Sequence, residues 1–338
     1  MFCIETSKGT VNFVRLFADS PDIGLAERLA QSSENVVCID TPPTEGLESV
    51  AKALGKMVVI RDHHYTPKEE GRVVRILAMA HKDSRVTTRE ENPGCATLIS
   101  PGEFLEFVVI ADADPDGLVS ALKAVGVTWG GQDKDCAVLD GPPAERTAET
   151  LSPICYLLSR CWSALPTFDP PKGEKLEQAK KNLFQDFATL MEGCEGFEGV
   201  LTRMEDRAKS FEAMQEASRT LWRKRAPISE HIVMLDPSGM ITKHDFGELG
   251  RLANEAGVRV TVTRLRSGPI AALFGEQYSL AVTSRLKGKI DLRSSLPAGV
   301  ANDPKEGVIS NTDFLLHLSP RKWEEFSRGI IASVESKE

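Results

Sequence analysis

The chain has 338 residues, 41 basic against 49 acidic side chains and a formal charge of −8, so it is long enough for two domains, each with its own core. The acidic balance argues against a surface built to grip long nucleic acid by its phosphates, but leaves room for a small anionic substrate in one local site. Hydrophobic content of 41% and charged content of 27% are those of an ordinary soluble globular protein, and no run approaches the roughly 20 apolar residues of a membrane helix. The start, MFCIETSKGTVNF, lacks the basic segment and apolar core of a secretory signal, so the expected location is cytoplasmic.

In chain order, the predicted strands of the first domain are VNFVRLF (11–17), NVVCID (35–40), KMVVIRD (56–62), a weaker RVTT (85–88), EFVVIAD (106–112) and CAVLD (136–140). Between them GLAERLA, GLESVAKALG and KEEGRVVRILAMAH carry apolar residues at helical spacing. Strands alternating with helices predict an α/β domain with a mostly parallel sheet. A buried helix is expected over 149–164, and the turn-rich FDPPKG (168–173) closes a first domain of residues 1–168. Residues 169–227, charged and interrupted at GCEGFEG (193–199), read as a helical connector whose basic end, WRKRAP, is a solvated helix terminus. Residues 228–338 predict a smaller α/β domain: HIVMLD, a helical HDFGELGRLANEAG, strands in VRVTVTRLRSG, SLAVTSRLKG and KIDLRSS with a hairpin around Lys287 and Gly288, and a last helix near PRKWEEFSRGII. Seven cysteines at irregular positions contain no C-x-x-C pair and read as reduced thiols, several of them core residues.

Acidic residues fall at the ends of three of these strands: Asp40 after NVVCI, Asp62 after KMVVIR with His63 and His64 following, and Asp112 after EFVVIA with Asp114 and Asp116 following. Ligands of parallel α/β sheets bind outside the carboxyl ends of the strands, so neighbouring strands would bring these groups to one rim. In an extended segment Asp112, Asp114 and Asp116 share a side. Gly117 permits a tight turn into the helix LVSALKAVG, whose first amides favour an anion. Carboxylates crowded this way repel by about 4 kcal/mol per pair at 4 Å with an effective dielectric of 20, so either the site is wet and spread out or a cation sits in it. Oxygen-rich ligands with one or two imidazoles suit Mn²⁺ or Mg²⁺, and two such ions roughly 4 Å apart are the usual apparatus for attack on a phosphate ester. The D-x-D-x-D-G run also begins a calcium-binding EF-hand loop, but the position that needs the bidentate glutamate holds Lys123. Turn and helix-capping aspartates would account for DADPDG alone, but not for Asp40 and the Asp62-His63-His64 triplet ending strands as well.

With these residues in view, VVCIDTPPTEGLESVAKALGKMVVIRDHH and VVIADADPDGLVSAL resemble the motifs of the DHH phosphoesterase superfamily. That superfamily includes RecJ single-strand exonucleases, nanoRNases, cyclic-dinucleotide phosphodiesterases and manganese pyrophosphatases. The aspartate-rich motif, first in that family, here follows the DHH triplet, which implies a circularly permuted DHH domain; joined termini and a reopened loop can preserve a sheet. The resemblance implies two Mn²⁺ ions, with Mg²⁺ as the alternative, held by Asp40, His63, Asp112, Asp114 and Asp116. Asp140 is the candidate for the fourth-motif acid, with Asp83 behind it. It further implies His64 and Asp62 as catalytic residues and metal-activated water as the nucleophile. Residues 228–338 resemble the DHH-associated substrate domain, without its glycine-rich segment ending in histidine; PAGVANDPKEG occupies that place. Arg264, Arg266, Arg293 and Ser294 are then the candidate substrate contacts. The implied function is a metal-dependent phosphodiesterase acting on short oligonucleotides or small nucleotides, with long duplex and membrane not expected as partners and a homodimer left open. The alternatives are a RecJ-type single-strand exonuclease, a pyrophosphatase, and a DHH-like scaffold that has lost catalysis.

Overall fold

The computed structural model describes residues 2–14, 35–141, 143–165, 173–193, 196–236, 244–265, 279–284, 307–309, 315–318 and 331. They fall into two compact units, the first made of Met1–Leu165 with Gly173–Lys209, the second beginning at Ser210.

In the first unit a hairpin of β1 (Phe2–Thr6) and β2 (Gly9–Phe13) is followed by β3 (Val36–Ile39), α1 (Glu45–Leu54), β4 (Val58–Asp62), α2 (Glu70–Met79), β5 (Arg85–Val86), β6 (Val108–Ala111), α3 (Pro115–Ala124), α4 (Gln132–Asp140), α5 (Pro153–Ser163) and α6 (Gly173–Glu192). A long helix, α7 (Phe197–Arg223), begins in this unit. The sheet order is β1-β2-β6-β3-β4-β5, parallel throughout except for β1 on β2. This is the α/β, mostly parallel architecture expected from the alternation of elements.

The central strands are apolar on both faces because both faces are covered. Successive side chains of a strand point to opposite sides. Val36, Cys38, Val58 and Ile60 accordingly pack with Leu47, Val50 and Leu54 of α1 and Ile76 of α2. Val37, Ile39, Val109 and Ala111 pack with Leu118 and Leu122 of α3, Leu158 of α5, and Phe184 and Phe187 of α6.

Three elements differ from expectation. FCIET, not anticipated, forms β1, and its Phe2 meets Phe13 of β2 and Phe184 of α6 with ring centroids 5.2 and 5.6 Å apart. CAVLD is not a strand but the end of α4, where Gln132, Asp135, Cys136 and Leu139 are buried at helical spacing; a five-residue apolar run cannot by itself decide between the two. The segment read as a connector is shared between the units, because Leu183, Phe184, Phe187 and Ala188 of α6 and Met204 and Ala208 of α7 belong to the first unit's core. GLAERLA lies outside the described residues.

The second unit holds β7 (Ala226–Pro227), β8 (Ile232–Leu235), α8 (Phe246–Glu255), β9 (Val260–Leu265), β10 (Ser279–Ser284), β11 (Gly307–Ile309) and β12 (Leu315–Leu318), with sheet order β11-β12-β10-β9-β8-β7. Among the described residues only β8 and β9 pair in parallel. The hairpin expected around Lys287 and Gly288 lies outside the described residues; β10 pairs with β9 on one edge and β12 on the other.

Candidate metal centre

The register brings the three acid-terminated strands side by side. Ile39 of β3 pairs with Arg61 of β4 on one side and Ala111 of β6 on the other, so the next residues, Asp40, Asp62 and Asp112, emerge in a row at the carboxyl edge. Asp40 takes a left-handed conformation (φ 56°), which an aspartate tolerates better than most residues, and its N–H donates to the Arg61 carbonyl at 2.8 Å. The sharp turn leads through two prolines to Thr44, whose hydroxyl caps α1 by accepting from Leu47 N–H.

At β6 the chain turns directly into α3. Asp114 is its N-cap, accepting from Gly117 N–H, and Pro115 opens the helix. Asp116 therefore sits in the first helical turn, and the alternation expected of an extended strand stops at Asp114. Gly117 is needed for space rather than for an unusual φ: a Cβ there would lie 2.6 Å from the Asp112 carbonyl and 2.9 Å from Asp114 Oδ1.

Three overlapping sets of ligand atoms each lie within 4.8 Å: Asp40, His63 and His64; His63, Asp116 and Asp140; Asp40, Asp114 and Asp116. Asp40, Asp62, His63 and Asp116 form a floor exposed by no more than 4%, with His64, Asp114 and Asp140 half-buried above them. Asp140 reaches the cluster from the end of α4, whereas Asp83, its reserve, is exposed beside His81. Asp112 is in none of the three sets; it accepts a hydrogen bond from the N–H of Ala113 at 2.7 Å.

The two histidines are held in different ways. His63 Nδ1 lies 2.8 Å from the Asn92 carbonyl, an acceptor, so Nδ1 carries a proton and, in the neutral ring, Nε2 keeps its lone pair. Nε2 is 3.1 Å from Asp40 Oδ1, and the one side chain that can share a proton with Asp40 among the acids around it is Asp116. Two electron-rich atoms face each other in a buried place, an arrangement costing several kcal/mol unless a proton or cation lies between them. His64 is oriented instead by Asp62, which accepts from its main-chain N–H and from Nδ1, both at 2.9 Å, leaving Nε2 turned toward Asp140 at 3.9 Å.

Charge is poorly balanced. Among the described residues the one guanidinium in ion-pair reach of Asp40, Asp62, Asp114, Asp116 and Asp140 is Arg89, whose Nη2 is 2.6 Å from Asp140 Oδ1. Burial, followed by the charge of Asp114, holds Asp40 well above the usual carboxylate range. Asp116 is raised by burial and then by Asp114, Asp40 and Asp140. Burial pulls His64 down, but the hydrogen bond to Asp62 and the charges of Asp62 and Asp140 outweigh it, and the net shift is upward. Lys180 of α6, buried over the Trp162 ring at 4.6 Å, donates to the Ala113 carbonyl at 3.1 Å and so steadies the chain between Asp112 and Asp114. The thiols are buried bystanders: burial pushes Cys38 up to about 12 and also raises Cys95 and Cys136.

Sequence reasoning missed the Asn92 carbonyl, Arg89 and Lys180. A backbone acceptor has no residue signature, Arg89 hides in the charged run RVTTREEN, and Lys180 meets the site only through the packing of α6. Of the expected substrate contacts, Arg264 is on β9 opposite Leu280, while Arg266, Arg293 and Ser294 lie outside the described residues.

An α/β protein with a carboxylate–imidazole cluster at the carboxyl rim of its sheet is the class that fold and site define. No family model and no curated protein matches the chain. Among solved structures it is similar to a pGpG-specific phosphodiesterase, PggH from Vibrio cholerae, at 12% identity and a TM-score of 0.46, over 90% of this chain and 99% of that one. Among the described residues no helix is long and apolar enough to cross a membrane.

Proposed function

We propose that the first unit is a divalent-metal-dependent phosphodiesterase acting on short oligonucleotides or small nucleotides. The observation that carries it is the buried His63 Nε2 lying 3.1 Å from Asp40 Oδ1 within overlapping sets of carboxylate ligand atoms, because such a set, once its protons are gone, is satisfied by a cation. Two metals fit the donor set: Asp40, His63, Asp114, Asp116 and Asp140 supply carboxylate oxygens and one imidazole nitrogen, the chemistry of Mn²⁺ or Mg²⁺. When bound, such ions activate water and offset charge building on a phosphoryl group. Asp62 fixes the His64 ring and leaves Nε2 turned toward the rim beside Asp140, where it can face a bound phosphate. The burial of the floor keeps bulk water from screening these charges.

In this reading the chain is a permuted DHH domain, since β6, with the aspartate-rich motif, follows β4 and β5 in sequence but lies beside β3 in the sheet. A scaffold without catalysis would have no use for buried, mutually repelling acids. The test is hydrolysis of labelled 5′-phosphorylated dinucleotides and short oligonucleotides with added Mn²⁺, comparing the native chain with His63→Ala. Turnover that needs Mn²⁺ and falls at least about a hundredfold in H63A, the scale expected when a catalytic metal loses a ligand, is the expected result. Metal-independent inertness toward every phosphodiester tried would favour the scaffold.

A further inference from the structure

We infer that Arg89 is the phosphate-receiving residue of this centre, an assignment that rests on the phosphodiesterase reading and names a substrate contact within it. Arg89 lies in the loop between β5 and β6, and its side chain is 54% exposed while that of its partner Asp140 is only 10% exposed. The guanidinium thus stands on the solvent side of the acid cluster. One of its nitrogens, Nη2, bonds Asp140. Among the described residues Nε and Nη1 have no hydrogen-bond partner, so the free edge of the planar fork is open to solvent beside the rim.

The surroundings fit an anion arriving from that side. Arg89 is close enough to His64 for its charge to oppose protonation of the imidazole, and His64 Nε2 is 3.9 Å from the same Asp140 oxygen that Arg89 holds. Arg89, His64 and Asp140 therefore meet at one point on the rim. A phosphate oxygen seated there would take hydrogen bonds from the open guanidinium edge while the ester faced the buried acids. Guanidinium is suited to this because it stays charged and presents paired N–H groups in the geometry of two phosphate oxygens. An acidic chain that must draw an anion toward a nest of carboxylates needs such a cation at the entrance, and Arg89 is the described residue in that position.

The experiment titrates inorganic phosphate, by calorimetry, into the Mn²⁺-loaded full chain, alongside Mn²⁺ titrations without phosphate, for the native protein, Arg89→Met and Arg89→Lys. The expected result is phosphate affinity about tenfold or more weaker in R89M, the scale of one charge-assisted hydrogen bond. R89K should recover part of that loss, while Mn²⁺ affinity stays within about threefold of native in both, allowing for weak screening of a rim charge. Undiminished phosphate affinity in R89M with Mn²⁺ uptake intact overturns the Arg89 assignment alone. So does a parallel fall in Mn²⁺ affinity that accounts for the whole effect, which would make Arg89 a buttress for Asp140. A native protein that takes up no Mn²⁺ overturns the phosphodiesterase reading and this assignment together.

Discussion

In the metal-free protein, ionising Asp40 places a charge in a spot 1% exposed, beside a lone pair and within reach of other acids. Its folded pKa is raised above the unfolded value, so between those two pKa values the folded state binds more protons than the unfolded one. Stability contributed in this way is greatest at low pH and is lost as pH climbs from about 4, the unfolded carboxylate value, toward the folded value. Denaturant unfolding of chelator-treated protein should therefore show stability falling across the weakly acid range, with a shallower fall in Asp40→Asn. D40N should also be more stable than native without metal and bind Mn²⁺ at least about tenfold more weakly, the loss typical of a weakened metal site. A D40N protein less stable than native at neutral pH without metal would show that Asp40 is structural rather than strained. At this scale the residue types were legible in advance: ligand atoms of Asp40, His63, Asp114, Asp116 and Asp140 fall in overlapping sets, each within 4.8 Å. Asp112 is in none of the three ligand sets, though its charge reaches Asp40.

At the scale of elements, α3 does two jobs with one residue. Asp114 caps its N-terminus through Gly117 N–H and also contributes to the acid cluster. Asp114→Asn keeps the capping oxygen and removes the charge; Asp114→Ala removes both. Loss of a cap costs about 0.5–2 kcal/mol, so chemical denaturation without metal should place D114N at or above native stability and D114A below D114N by that amount. Equal stability of the two variants would mean that the cap contributes nothing. The strands and helices around the site could be read from their periodicity, since α1 and α2 present apolar faces at regular spacing. CAVLD could not: four of its five residues are apolar, which fits a buried strand as well as a helix, and only the burial of Gln132 and Asp135 ahead of it reveals the helical face. Nor could FCIET, whose role as an edge strand depends on Phe184 arriving from far along the chain to cover Phe2.

At the scale of the whole molecule, a cation that binds only the folded first unit must stabilise it by mass action. Mn²⁺ at 100 times its dissociation constant adds about 2.7 kcal/mol. The midpoint of thermal unfolding should rise with Mn²⁺ concentration, return on addition of a chelator, and rise less in D40N at the same Mn²⁺ concentration. Unfolding unmoved by Mn²⁺ in the native chain would remove the metal from the account of this site.

By itself the amino-acid order determined the alternation of strand and helix, the apolar faces, and three acids placed to leave neighbouring strands at one rim. Those are local properties, written in side-chain period and in the residue types at strand ends. What the tertiary structure alone decided is which groups meet: the β6-β3-β4 adjacency that brings the motifs into register, the Asn92 carbonyl that fixes the His63 tautomer, and Arg89 set against Asp140. These depend on contacts between residues distant in the chain, and such contacts follow from how the layers pack, which no stretch of sequence carries alone.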